Sequence, residues 1–159
     1  MGYLYGRGEV TPGPIDYSML IAGPFGDEAT AEFSTALLKG ELIGKNPKGA
    51  TDILTVSFSS HDCINYNFGP ESIQSMDHLI RLDRTLTKFC TAIDAQVWRE
   101  DVLMLLTADH GFMNTPEYSI SRGFDAGRVD PRALRGTVNA LAENKFGIAN
   151  LAPQHMIGG

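Results

Sequence analysis

The chain is poor in cysteine, in clustered positive charge and in long apolar runs, and each shortage removes a class of protein. Its two cysteines, Cys63 and Cys90, cannot build a disulfide framework, and neither sits in a Cys-x-x-Cys zinc pattern. Both are expected as free thiols in the core. Thirteen Lys and Arg against nineteen Asp and Glu leave a formal net charge of −6 with no basic cluster. Neither a nucleic-acid polymer nor an anionic membrane is therefore expected as a partner. No stretch reaches the roughly 18 consecutive apolar residues of a membrane span. Met1 to Gly13 is Gly- and Tyr-rich and lacks the charged and apolar regions of a signal peptide, so no export signal is expected and the compartment stays open.

What remains is a globular composition, 43% hydrophobic and 20% charged, in 159 residues that suit one domain over 1–159. Residues 1–26 hold nine Gly or Pro, which predicts an irregular start. Asp27-Glu28-Ala29-Thr30 opens a helix with Phe33, Leu37 and Leu38 at helical spacing, closed by Gly44. Asp52–Ser59 (DILTVSFS) is short and nearly all apolar or small, as in a strand buried on both faces. A long helix follows over about 72–98, with an apolar stripe through Leu79, Leu82, Leu86, Phe89, Ile93 and Val97. Asp101–Ala108 (DVLMLLTA) reads as a second buried strand. Residues 112–130 read as an extended loop, with Asn114–Asp130 as a lid. Pro131 starts a helix over 132–146 that ends near Gly147. Strand, helix, strand in this order predicts an α/β fold, a small parallel sheet flanked by helices.

Ligands bind at the carboxyl ends of strands in such sheets. One expected strand ends in Ser59-Ser60-His61-Asp62, the other in Thr107-Ala108-Asp109-His110-Gly111. Asp62, Asp109 and His110 would then line one rim, a carboxylate and imidazole set that suits zinc at about 2.0–2.2 Å. A metal ion would also supply the positive centre that an anionic phosphate needs on an acidic chain. Each residue has a plainer reading, as a turn or cap at a strand exit. Ser57, Ser59, Ser60 and Thr107 read as strand and turn hydroxyls, and mid-helix His78 as structural.

These residues resemble the alkaline phosphatase superfamily, most closely its monomeric phosphatase and nucleotide pyrophosphatase/phosphodiesterase branch. The similarity runs from about Tyr17 to Gly147. It is carried by Asp52–Asp62, by Phe68-Gly69-Pro70-Glu71-Ser72, by Arg81-Leu82-Asp83 and above all by Leu106-Thr-Ala-Asp-His-Gly111. The resemblance implies a partial alkaline-phosphatase-like core, a small phosphate-ester substrate and one or two zinc ions, with other divalent metals as alternatives. Asp62 would ligate one ion, Asp109 and His110 the other.

The sequence departs from the family pattern in three ways. The family has a His four residues after the Asp matching Asp62, where this chain has Tyr66, and an unperturbed phenol with a pKa of about 10 is a poor zinc ligand. The segment carrying the family's Thr or Ser nucleophile and a further metal Asp is not found. The final metal His is not found either, since His155 in Gln154-His155-Met156 does not match its motif. The catalytic residues are thus unassigned, and the chain is expected to be the carboxy-terminal part of a phosphoric ester hydrolase. The alternatives are an inactive metal- or phosphate-binding pseudoenzyme and an interaction domain. Self-association through an exposed sheet edge is a further expectation.

Overall fold

Asp27, Ala31, Ser34 and Leu38 recur at three- and four-residue spacing and form the buried face of a helix. That helix belongs to a computed structural model that describes residues 18–153. The elements are α1 (Ser18–Ile21), α2 (Phe25–Gly40), α3 (Ser60–Phe68), α4 (Ile73–Gln96), a 3₁₀ turn (Arg99–Asp101), α5 (Pro116–Ser121) and α6 (Pro131–Phe146). They fall in two compact units, Met1–Thr115 and Pro116–Gly159. No helix among the described residues is long and apolar enough to cross a membrane.

The expected parallel sheet is not there: the described residues contain no strand. Strand-like composition selects an extended segment, but a strand exists only where a second backbone lies alongside to complete the hydrogen-bond ladder. Across 53–59 half-covered Leu54, Val56 and Phe58 alternate with exposed Ile53, Thr55, Ser57 and Ser59, so one face rests on the unit and the other is open. Across 103–108 every residue is exposed, Leu103 at 86% and Leu106 at 83%, which is the opposite of the two-sided burial expected.

In the first unit α4 packs chiefly on α2 and then on α3. Leu38, Ile64 and Phe89 are its large buried apolar side chains. At about 1.5–3 kcal/mol for each fully buried aliphatic or aromatic side chain, this is a thin apolar core, and polar groups share it. The helix that the sequence predicts from Asp27 begins at Phe25 and ends at Gly40, and Phe33 lies outside its buried face at 70% exposure. On α4 the buried stripe runs through Ser75, His78, Thr85 and Phe89, and Leu79 is half exposed. Ser72 caps α4, its hydroxyl accepting from the Ser75 N–H at 3.1 Å. At the other end the Gln96 amide donates to the carbonyls of Leu38 and Ile43, tying α4 to the turn after α2. Gly44 lies in that turn with φ of +79°, and a Cβ there would run into the Val97 side chain. Cys63 and Cys90 are free, as expected, but half-buried rather than in the core.

In the second unit α6 follows its sequence signals closely. Asp130 caps it, accepting from the Arg132 N–H at 2.9 Å, Pro131 opens it, and Gly147 ends it in the left-handed region at φ +67°. Asn139 then holds Ala152 by a reciprocal pair of hydrogen bonds, 2.8 and 3.2 Å. The expected loop over 112–130 contains a helix, α5, because Pro116 supplies a first helical position and Glu117 pairs with Arg128 at 2.7 and 2.8 Å. The irregular start likewise gives way to α1 and the beginning of α2 from Ser18 onward. Its earlier part lies outside the described residues, as does His155.

Candidate metal centre

Asp62 stands in the first turn of α3, where the N-terminal end of the helix dipole favours a carboxylate. The α3 N-terminus is not capped by its own Ser59. Its first N–H, that of Ser60, donates instead to Asp27 Oδ1 at 3.1 Å, across from α2. Asp27 is only 3% exposed and also meets His78, through Oδ2 and Nε2 at 3.1 Å. His78 is 1% exposed and its other ring nitrogen, Nδ1, lies 3.1 Å from Nδ1 of His61. The two imidazoles stack, with centroids 5.1 Å apart. A chain of polar contacts thus runs from a buried carboxylate on α2, through α4, to the residue before Asp62. From the sequence, Asp27 opens a helix, His78 is structural, and His61 is either an exposed loop residue or a substitute for the family's His at Tyr66. No local signal joins them, since they meet only through the packing of three helices.

Asp109 and His110 are brought to Asp62 from the other direction. Thr115 donates both its backbone N–H, at 3.1 Å, and its hydroxyl to Glu71 Oε1, and this clasp returns the exposed segment toward the α3–α4 turn. The three expected ligands are then neighbours: His110 Nε2 lies 3.5 Å from Asp62 Oδ1 and 3.7 Å from Asp109 Oδ2. Phe112 sits among them, edge-on to His110, Tyr66 and His61 at centroid distances of 5.3, 5.5 and 6.4 Å.

The protonation pattern tests whether a cation fits. His110 Nδ1 is 3.0 Å from the Gly111 carbonyl, an acceptor, so Nδ1 carries the ring proton. In the neutral imidazole Nε2 is then a lone pair facing two carboxylate oxygens. Such an arrangement is repulsive until a proton or a metal ion enters it. The Gly111 hydrogen bond first, and the Asp109 charge second, hold the His110 pKa above its ordinary value. Donor atoms about 2.1 Å from a tetrahedral ion lie roughly 3.4 Å apart, close to the separations here. The donor set therefore fits a divalent ion in type and in these two spacings. It is short in number: among the described residues no group of three or more His, Cys, Asp or Glu is arranged to hold a metal. Tyr66, at the position of the family's His, is exposed and meets Phe112 rather than a ligand.

Near this site the electrostatics of His61 run the other way. Burial first, and the neighbouring His78 second, lower its pKa against the opposing pull of Asp27 and Asp62. Ser57 and Ser59 hydrogen-bond to one another through their hydroxyls at 3.0 Å, in keeping with turn chemistry.

Comparison with known proteins places these residues in context. The profile of the family described as type I phosphodiesterase / nucleotide pyrophosphatase matches residues 9–154. The chain is 39% identical over 103 residues to alkaline phosphatase PhoV of Synechococcus elongatus, covering 65% of this chain and 18% of that protein. It is 33% identical over 135 residues to a protein of Myroides odoratus named calcium-transporting ATPase, covering 85% of this chain and 25% of that one. Among solved structures, wild-type alkaline phosphatase PafA superposes with a TM-score of 0.75 at 31% identity, over 86% of this chain and 26% of PafA. The chain thus spans no more than about a quarter of the length of these relatives.

Proposed function

The chain belongs to the type I phosphodiesterase / nucleotide pyrophosphatase family of the alkaline phosphatase superfamily, and from that membership we propose that it carries part of a divalent-metal site for hydrolysing small phosphoric esters. Asp62, Asp109 and His110 are the ligands in this reading, and zinc suits their nitrogen and oxygen donors best. The observation that supports it most is His110 Nε2, a lone pair set 3.5 and 3.7 Å from two carboxylate oxygens. A bound ion would act as a Lewis acid toward a phosphoryl oxygen. It would also offset the net charge of −6 that otherwise repels a phosphate ester.

The chain's own residues do the holding. Gly111 fixes the His110 tautomer through its carbonyl, Asp27 anchors the helix that bears Asp62, and the Glu71–Thr115 clasp returns the segment that bears Asp109 and His110. None of the site hydroxyls is assigned as nucleophile. Neither a nucleic-acid polymer nor a membrane enters this reading. The test is zinc stoichiometry by elemental analysis after dialysis against trace zinc, on the wild type and on Asp109→Ala and His110→Ala. Each substitution is expected to remove bound zinc and leave the helical signal unchanged. Equal zinc content in all three proteins would overturn the ligand assignment.

Tyr66 favours a second reading, in which the chain binds metal or phosphate without turnover. Zinc uptake with no hydrolysis of monoester or diester substrates would select it.

A further inference from the structure

Tyr66 lies one turn beyond Asp62 on α3, and residues four apart share a helix face. At about 1.5 Å of rise per residue, its ring springs from the backbone roughly 6 Å along the axis from that carboxylate. On the opposing segment Phe112 stands two residues beyond His110. The two elements that bring Asp62 and His110 together thus each carry an aromatic ring. The rings meet, with centroids 5.5 Å apart and planes at 78°. Phe112 meets the His110 imidazole as well, at 5.3 Å and 70°. An aromatic wall therefore begins at the His110 ring and continues outward through Phe112 to Tyr66.

Core packing does not account for the outer ring. Tyr66 is 73% exposed, so it adds little to the apolar core of the first unit. It meets Phe112 edge to face, which leaves flat ring surface open to solvent. Phe112 is half-buried and is held by the rings of His61, Tyr66 and His110. One ring is thus fixed and the other open, an arrangement suited to a flat partner. Aromatic pairs in offset-stacked or edge-to-face geometry gain more than their buried area alone provides, and a saturated ring of the same size lacks that gain. Because the wall abuts His110 itself, the ring that it would meet is one borne directly on the ester oxygen, with no spacer between.

We propose that Tyr66 and Phe112 form the leaving-group side of the site and that its favoured esters are aryl phosphates, whose aromatic alcohol packs against these two rings. This deepens the phosphoric ester reading given above and rests on it.

The test is isothermal titration calorimetry of the full chain, in the presence of zinc, with phenyl phosphate, cyclohexyl phosphate and inorganic phosphate. Phenyl and cyclohexyl phosphate match in charge and nearly in size, so their affinity ratio reads the aromatic contact alone. Phenyl phosphate is expected to bind about two- to tenfold more tightly than cyclohexyl phosphate. Tyr66→Ala and Phe112→Leu are each expected to bring that ratio toward one, and Tyr66→Phe, which keeps the ring, to preserve it. Equal affinities for the two esters in the wild type overturn this inference alone, as does inorganic phosphate that binds when neither ester does. A preference that survives both Tyr66→Ala and Phe112→Leu overturns the assignment to these rings. Failure of all three probes to bind overturns it together with the phosphoric ester reading. Phe112→Leu is read only after its circular dichroism matches the wild type. If that variant does not fold, Tyr66→Ala, on an exposed side chain, decides the matter.

Discussion

At the scale of single residues, two histidines near the same phenylalanine respond to acid in opposite senses. His61 has its pKa lowered from an ordinary value of 6.5, so the native state resists taking up a proton that the unfolded chain accepts. Its contribution to stability is complete above 6.5 and is lost as the pH falls through its depressed value. His110 has its pKa raised from the same value, so its contribution is complete below 6.5 and is lost as the pH rises through the raised one. Thermal midpoints measured from pH 5 to 8 are expected to lose their acid-side decline in His61→Gln and their rise on acidification in His110→Gln. Asp27 is a second residue-scale case. Asp27→Ala strands the Ser60 N–H and the His78 ring in a buried site, at roughly 1–3 kcal/mol for each unsatisfied group. Urea unfolding is expected to show a loss of about 3 kcal/mol, with Asp27→Asn milder because its amide oxygen can still accept one of the two bonds. Asp109 and His110 were legible as candidates because their motif is contiguous. The Asp27–His78–His61 chain was not, because its members are separated by whole helices and lie side by side only after α2, α3 and α4 pack.

At the scale of elements, legibility followed how local the determining interaction is. The signals for α6 sit inside one segment: Asp130 to cap, Pro131 to start, Gly147 to stop, and the helix runs between them. Asp130→Ala is expected to cost about 1 kcal/mol in the unfolding of the second unit. The start of α4 was equally plain from Ser72. Its inward face was largely legible too: of the expected apolar stripe Phe89 is buried and Leu82, Leu86, Ile93 and Val97 are half-covered, while Leu79 is half exposed and the neighbouring His78 takes the buried place against Asp27. The two apolar runs misled for a related reason. Periodicity reports what a segment's side chains favour, not whether a second backbone lies beside it. The joint between α2 and α4 gives a sharper test. Gly44→Ala must hold a Cβ at φ +79° against Val97, and is expected to destabilise the first unit, while Gly44→Ala with Val97→Ala recovers the steric part only.

At the scale of the whole molecule, the exposed apolar side chains matter more than the absent sheet edge. Ile53, Leu103, Leu105 and Leu106 are each more than four-fifths exposed. Side chains of this kind left in water favour association. Sedimentation velocity is expected to show concentration-dependent self-association that Leu103→Lys with Leu105→Lys abolishes, and a concentration-independent monomer in the wild type would refute this. The clasp between Glu71 and Thr115 also has a reach beyond its own atoms. Without it, His110 must find Asp62 across the entire intervening chain. With it, the remaining loop is roughly threefold shorter, which lowers the closure entropy by about 1 kcal/mol. Glu71 thereby sets the effective concentration of one half of the candidate metal centre about the other, without donating a single atom to it.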